Sequence, residues 1–387
     1  MKLKNKKRLF EEFKSIPDFR THRHKIQFPL EEILFLTLFA LLQGVSEYRA
    51  IHTWCIYNAN SKIFKRIFDK RHVRVPSFST LHMILSNVDN NALELIFREF
   101  FKKYSTYDNL AVDGKWLNGS DISGQYIEES HKAVLNILDK DKKIVVGHQL
   151  LSKDKKSEIP AMVTMLQDKS FYLKGQIFSF DALLTQVEIL DLINTQENFY
   201  IAKVKGNQKL LKEKVVFTAN SFRNPTHSYT SPLFETENNK SVKRFVEVFQ
   251  DRSCNVVMYH NDFKNIQSII KITKETIDLK TGVIKTKVEY LIANFKTNAK
   301  EFHDKILQHW HIETYHYYLD TLTMEDKHIA YINPFSVSIL RSFTINLYQL
   351  FLNLNKGGQI NKTNIGMAAI KRASMHDIDF TSELFEI

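Results

Sequence analysis

The sequence predicts an α/β protein with an all-helical N-terminal part and a mixed sheet behind it. Three observations carry this. Residues 9–105 hold apolar runs at helical spacing between Pro, Ser and Asn punctuation. From Asn109 the apolar runs become short, with strand character. Three such runs come in succession, after which helix and strand alternate, so the sheet starts antiparallel and continues parallel. That order is the order of an RNase H-like mixed-sheet core.

In the N-terminal part, Pro29 followed by Glu31 and Glu32 starts a helix, with acidic groups at the positive end of its dipole. Its run Ile33–Leu42 is apolar on nearly all sides and is the expected centre of a bundle. Ser77 opens another helix, and Asn90 or Asn91 caps the next, from Leu93 to Tyr104. Arg66, Lys70, Arg71 and Arg74 lie between these short helices, an arrangement that fits a helix-turn-helix DNA reader and a plain bundle equally.

Strands are expected at Leu110–Leu117, Ala133–Leu138 and Ile144–Leu151, the last two joined by a polar hairpin, Asp139–Lys143. A helix at Ser157–Leu166, a strand at Gln176–Phe180, a helix at Leu183–Asn194 and a strand at Phe199–Val204 follow. Strand-like runs at Lys243–Gln250, Asn255–Tyr259, Ile269–Lys274 and Lys287–Phe295, with a turn at Lys280-Thr-Gly282, form a β-rich insertion. Ala299 resumes the core, and Pro334 permits a further helix, Phe335–Leu354, ended by Gly357-Gly358. The expected organisation is therefore a helical DNA-binding domain over 1–106, the first part of the catalytic core over 107–215, the insertion over 216–298, the second part of the core over 299–355 and a C-terminal tail over 356–387.

Composition narrows the function. With 387 residues, 43% hydrophobic and 25% charged, the chain is an ordinary globular protein. Its net charge of +11 favours a polyanionic partner, nucleic acid first. Residues 1–25 carry nine Lys or Arg against Glu11, Glu12 and Asp18, a basic arm suited to phosphates. Two cysteines, Cys55 and Cys254, are too few for a disulfide scaffold or a cysteine zinc cluster. The run Ile33–Leu42 is too short to span a bilayer, so the expectation is a cytoplasmic protein with no membrane span. No Walker loop and no Gly-x-Gly-x-x-Gly after a strand is present.

The candidate chemistry centres on His309–Asp320. Helical spacing puts His309, Glu313, His316, Tyr317 and Asp320 on one face. So aromatic a helix is expected to be largely buried, which leaves the Glu313 carboxylate in need of a cation or a metal. Asp113 and Asp181 each close a strand-like apolar run and precede a small residue. In the predicted strand order their two strands are neighbours, so the aspartates meet at one edge of the sheet and a packed helix supplies the third group. The strict zinc-protease pair, with Glu directly after the first His and the second His four positions from it, is absent.

These blocks resemble the DDE insertion-sequence transposases, and among them the subgroup of the H-repeat-associated proteins. Ala111-Val-Asp-Gly-Lys115, Phe180-Asp-Ala182 with Gln186, Lys205-Gly-Asn-Gln208, and His309-Trp-His-Ile-Glu313 with His316, Asp320 and Glu325-Asp326 look like its blocks, in its order. Pro17-Asp-Phe-Arg20, Phe28-Pro-Leu30 and Pro76-Ser77 are also similar. The sequence departs at Thr314, where the family has Asn, at Tyr317, where it has Trp, and at Val242–Glu247, where Arg244 and Glu247 keep only the charges of a His-Gly-Arg-Ile-Glu block.

Carried over, the resemblance implies a metal-binding triad of Asp113, Asp181 and Glu313 that hydrolyses transposon 3′ ends and joins them to target DNA. Two Mg²⁺ or Mn²⁺ ions about 3.5–4 Å apart suit phosphodiester chemistry, since hard cations take carboxylate oxygens and leave positions for phosphate. Asp113 is expected to bridge both ions, Asp181 to hold one and Glu313 the other. Lys115, Lys203, Lys205, Asn207, Gln208, Arg244 and His316 are the expected DNA contacts. A homodimer on double-stranded DNA is implied by the same resemblance. Two alternatives stand beside it: a domesticated, non-cleaving DNA-binding protein, and a stand-alone metal-dependent nuclease.

Overall fold

The structure is a computed structural model. It describes residues 4–21, 26–117, 132–151, 158–168, 171, 174–222, 224–236, 239–259, 262–327, 333–355 and 366–385. In chain order its helices are α1 (Lys4–Phe13), α2 (Leu30–Leu42), α3 (Tyr48–Asn58), α4 (Lys62–Ile67), α5 (Phe78–Ser86), α6 (Asn90–Lys102), α7 (Glu158–Gln167), α8 (Val187–Thr195), α9 (Lys209–Ser221), α10 (Arg252–Met258), α11 (Ala299–Gln308), α12 (Trp310–Leu322), α13 (Pro334–Asn355), α14 (Met367–His376) and α15 (Ile378–Glu383). The strands are β1 (Asn109–Leu117), β2 (Lys132–Asp139), β3 (Ile144–Leu151), β4 (Ile177–Phe180), β5 (Phe199–Val204), β6 (His227–Thr230), β7 (Phe234–Thr236), β8 (Lys240–Gln250), β9 (Ser268–Asp278) and β10 (Ile284–Ala293). The chain is thus a mixed α/β protein with two compact units: residues 1–106, 114–154 and 312–387 form one, residues 107–113 and 155–311 the other.

In the first unit, α2 buries every residue but Glu31, as its unbroken apolarity requires. Gly44 follows it at φ +76, a backbone conformation that favours glycine, and a Cβ there would stand 2.8 Å from Lys371 Cε. α13 crosses α2 and α6 and packs on β3. Its Phe343 is the hub of an aromatic cluster, with ring centroids of Phe97, Phe101, Phe100 and Phe13 at 4.9, 5.2, 5.8 and 6.2 Å. The hairpin between β2 and β3 closes as expected, its turn held by Asp139 Oδ1 accepting from the Asp141 and Lys142 amides at 2.9 Å.

Three expectations about the ends and caps of this unit are corrected. Asp89, rather than Asn90 or Asn91, caps α6, because its carboxylate accepts from both the Asn91 and Ala92 amides. The described part of the N-terminal arm is largely the helix α1, with Leu9, Phe10 and Phe13 buried and Arg8, Lys14 and Arg20 paired to Glu12, Glu11 and Asp18. The described C-terminal segment is no tail: α14 and α15 fold back, and Phe385 stacks on Phe39 at 5.1 Å. Gly357-Gly358 lies outside the described residues.

In the second unit the strand order is β1-β4-β5-β10-β9-β8-β6, with β7 also on β8. β1, β4 and β5 are mutually parallel neighbours, and the strands beyond them are antiparallel. The strands of the insertion therefore extend the same sheet, since β10 pairs with β5 from Tyr290↔Val204 to Ala293↔Ile201. α11 lies on one face of that extension, where Phe302 joins Val246, Val248, Ile270, Ile272 and Leu291. The expected strand Asn255–Tyr259 is instead the last part of α10. Its buried apolar residues, Cys254 and Val257, are three apart while Val256 is 40% exposed, a helical and not an alternating pattern.

Among the described residues no helix is long and apolar enough to cross a membrane. Replacement of the hub, Phe343→Ala, is expected to cost about 3–5 kcal/mol. Urea unfolding followed by near-ultraviolet circular dichroism would show it as an earlier transition; an unchanged midpoint would deny Phe343 that role.

Candidate active site

The carboxyl ends of β1 and β4 are the natural starting point. Leu110, Ala111 and Val112 are fully buried and Phe178 and Phe180 nearly so, and this double-sided burial is what makes parallel central strands of both segments. Their register runs from Asn109↔Ile177 to Val112↔Phe180. Asp113, in the middle of β1, and Asp181, just past the end of β4, each follow the last pair of this register, so the two come at the same level of neighbouring strands. The meeting of these two aspartates, expected from strand order, is present in the backbone.

Asp181 is half-exposed and accepts from Lys205 Nζ at 2.8 Å. Burial raises its carboxyl pKa, but the Lys205 hydrogen bond and the charges of Lys205 and Lys203 outweigh this and hold it below the usual range. The Lys205–Gln208 turn is stitched to the segment that follows Asp181. Asn207 Nδ2 donates to Ala182 O at 2.7 Å, Gln208 Nε2 to Thr185 O at 2.8 Å and to Gln186 Oε1 at 3.0 Å, and Thr185 Oγ1 to Lys203 O at 2.7 Å. Asn207 and Gln208, expected on DNA, here donate their amides to the protein's own carbonyls and hold the loop.

Lys203 pairs with Glu289 at 2.8 Å, and Lys287 shares the same carboxylate at 2.8 Å. Arg244 is half-buried on β8, whereas Glu247, three residues on, faces the opposite side of the strand and pairs with Lys271 at 2.9 Å.

His309 caps the end of α11 and is not on the Glu313 helix, because the chain breaks between Gln308 and Trp310. Its Nδ1 meets Ser179 Oγ at 3.0 Å, and Ser179 Oγ donates to Leu110 O at 3.1 Å. Lys305 Nζ donates to Asn109 Oδ1 at 3.1 Å. The end of α11 is thereby tied to both β1 and β4. Sequence reasoning missed Ser179 and Lys305; the small polar residue inside an otherwise apolar strand was the available signal.

In the first unit, Glu313 stands in the first turn of α12, on an exposed position. The expectation of a largely buried helix is corrected here: α12 buries only Ile312, Tyr315, Leu319 and Leu322, and Trp310 and Tyr317 are 55% and 61% exposed. Aromatic content alone says nothing of burial when the rings lie on two sides of a helix. His316 Nε2 meets Asn136 Nδ2 at 3.1 Å, which ties it to β2. Tyr315 OH meets Ser342 Oγ at 2.5 Å, and Ser342 is bonded by His148, itself on Glu94 at 2.7 Å.

Lys115 is the clearest correction among the expected DNA contacts. It is 7% exposed and surrounded by carboxylates, Asp320 at 2.6 Å, Asp326 at 3.4 Å and Glu325 at 4.0 Å. Glu325 is fully buried between Lys115 and Arg341, and burial pushes its carboxyl up. An ammonium so enclosed holds α12 and the Glu325-Asp326 turn to the end of β1; it does not face solvent phosphate.

The donor chemistry of Asp113 and Asp181 suits a hard divalent cation, and the Lys205 ammonium already occupies a cation's place on Asp181. Among the described residues no three of His, Cys, Asp and Glu are gathered closely enough to hold an ion. Asp113 and Asp181 belong to the second unit and Glu313 to the first.

Residues 10–101 match the DDE_Tnp_1-associated family. The chain is 26% identical over 324 residues to the protein named "Putative transposase YncI" of Escherichia coli O157:H7, covering 80% of this chain and 79% of that one. It is 23% identical over 330 residues to "H repeat-associated putative transposase YhhI" of Escherichia coli K12, covering 83% and 84%. The chain is a relative of the H-repeat-associated DDE transposases. A piggyBac transposase synaptic complex with hairpin DNA aligns over 98% of this chain and 80% of that one at 10% identity with a TM-score of 0.43, below what defines a common fold.

Two outcomes are expected from this geometry. Lys205→Met raises the Asp181 pKa, read by carbon-detected titration of labelled aspartate. A carboxyl held low contributes stability above its unfolded pKa of about 3.9 and loses it as pH falls through the folded value, so the variant differs least from the parent in acid. No movement of the Asp181 resonance would remove Lys205 as its partner. Lys115→Met leaves half-buried Asp320 without its cation and buried Glu325 with Arg341 alone, and costs about 3 kcal/mol at neutral pH. Both carboxyls are already raised by burial, so protons replace the lost cation and part of the deficit is recovered as pH falls toward 5. Equal unfolding midpoints for parent and variant at pH 7 would contradict this.

Proposed function

We propose that the protein is a DNA transposase whose carboxylates Asp113, Asp181 and Glu313 cleave and join phosphodiester bonds, on an RNase H-like core. The observation that carries the reading is the register of β1 and β4, whose last pair, Val112 and Phe180, is followed on each strand by an aspartate, Asp113 and Asp181. Kinship with proteins named as transposases over four-fifths of the chain supports the substrate.

Two divalent ions, Mg²⁺ or Mn²⁺, would activate the attacking oxygen and neutralise the leaving one. The chain's own residues prepare for this. Asp113 supplies oxygens from within β1 and Asp181 from just past the end of β4, and Glu313 offers a third carboxylate from the first turn of α12. Lys205 keeps Asp181 ionised and yields to a cation of higher charge. Water attacks at a transposon 3′ end in the first step, and the freed 3′-hydroxyl attacks target DNA in the second. A homodimer on two DNA ends completes the proposal.

A second reading, a DNA-binding protein that no longer cleaves, is favoured by the Asp181–Lys205 pair, which neutralises one of the carboxylates internally. A supercoiled plasmid carrying candidate element ends separates the two. Under the transposase reading the parent nicks it with Mg²⁺ or Mn²⁺, stops in EDTA and yields joined products. Asp113→Ala, Asp181→Ala and Glu313→Gln reduce cutting to background while binding in EDTA is kept. A parent that binds and leaves the DNA intact with either metal establishes the second reading; cutting that never yields joined ends establishes a nuclease.

A further inference from the structure

The sheet extension of the second unit carries a line of cations that the carboxylate site does not explain. Arg244 on β8 is the direct register partner of Lys274 on β9, and Lys274 is the direct partner of Lys287 on β10. Because side chains alternate along a strand and partners in register share a face, the three stand side by side on one face of three adjacent strands. It is the face whose other end holds Val246, Ile272 and Leu291 under α11, two positions along each strand or further. Lys203 shares this face, since it is the register partner of Leu291.

Like charges directly opposite one another on a sheet repel, and a fold gains nothing from three in a row. Acids near them are few. Glu289 is bonded to Lys203 and Lys287, and among the described residues neither Arg244 nor Lys274 has a carboxylate at ion-pair distance. Burial and the neighbouring charges of Arg244, Lys287 and Lys240 all push the Lys274 ammonium down, and burial does the same to Arg244. Glu289 joins Lys287 to Lys203, and Lys203 lies on β5, the neighbour of the strand β4 that ends just before Asp181.

We propose that the face formed by Arg244, Lys274 and Lys287 binds the phosphate backbone of duplex DNA and leads it to Asp181. Successive strands present a cation about every 4.8 Å, a spacing close enough to meet consecutive phosphates of one strand. The contact is to phosphate alone and reads no base sequence. This inference rests on the proposed function for its choice of DNA, and it adds a binding surface that is separate from the cleaving groups.

The test is binding of a labelled duplex of arbitrary sequence by the full chain in EDTA, measured as a function of salt. Parent protein is compared with the triple variant Arg244→Gln, Lys274→Gln, Lys287→Gln and with a control that removes three cations elsewhere, Lys212→Gln, Lys243→Gln, Lys264→Gln. The triple variant is expected to bind more weakly to every duplex. Its log–log salt slope is expected to be shallower by about 2 to 3, near 0.9 for each phosphate that the protein no longer neutralises. Its melting temperature is expected to equal or exceed the parent's, because repulsion is relieved. Unchanged binding and slope, an equal weakening in the control, or a lowered melting temperature would each overturn the proposal. A parent that binds no duplex in EDTA would overturn the proposed function with it, whereas a parent that binds and cuts while the triple variant does the same overturns this surface alone.

Discussion

The parallel pairing of β1 with β4 is the constraint on which the candidate site depends. Two segments far apart in sequence are brought side by side with a register that puts Val112 opposite Phe180. A shift of one residue would carry every side chain of either strand to the other face and would separate Asp113 from Asp181. The fully buried residues ahead of each aspartate resist such a slip, since it would move polar neighbours into the sheet's interior. Ser179 adds a local key, because its hydroxyl reaches Leu110 on one side and His309 on the other.

Around that pair the chain uses its polar side chains in two different ways. Asn207, Gln208, Thr185 and Gln186 bond one another and the backbone, making one rigid turn out of two separate sequence blocks. Lysines are divided more sharply. Lys205 stands half-exposed on Asp181, where a change of ionic partner costs little, while Lys115 is enclosed by three carboxylates, where losing a partner strands a buried charge. The first suits a group that responds to a ligand. The second suits a clamp.

The insertion also departs from the idea of an appended domain. By pairing β10 with β5 it continues the central sheet, so that its charged face and the carboxylates of Asp113 and Asp181 share one framework within the second unit. This continuity links a row of cations on β8, β9 and β10, through Lys287, Glu289 and Lys203, to the strand next to β4. Repulsion tolerated there is the physical mark of a surface shaped for an anionic partner.

Much of this was legible in the residues themselves. The strand and helix order, the tight hairpin at Asp139–Lys143 and the two aspartates closing apolar strands are local patterns, and the crossover through helices makes their strands parallel neighbours. What the residues could not disclose is what packs against them from elsewhere. Lys115 lies within β1 and Lys205 just after β5, yet only the fold brings Asp320, Glu325 and Asp326 around the first. The aromatic run at Trp310–Tyr318 reads as core but lies on two sides of a helix that has just one buried face. Periodicity determines which residues share a face; only the tertiary structure decides which face meets protein and which meets solvent, because that choice is made by segments distant in sequence.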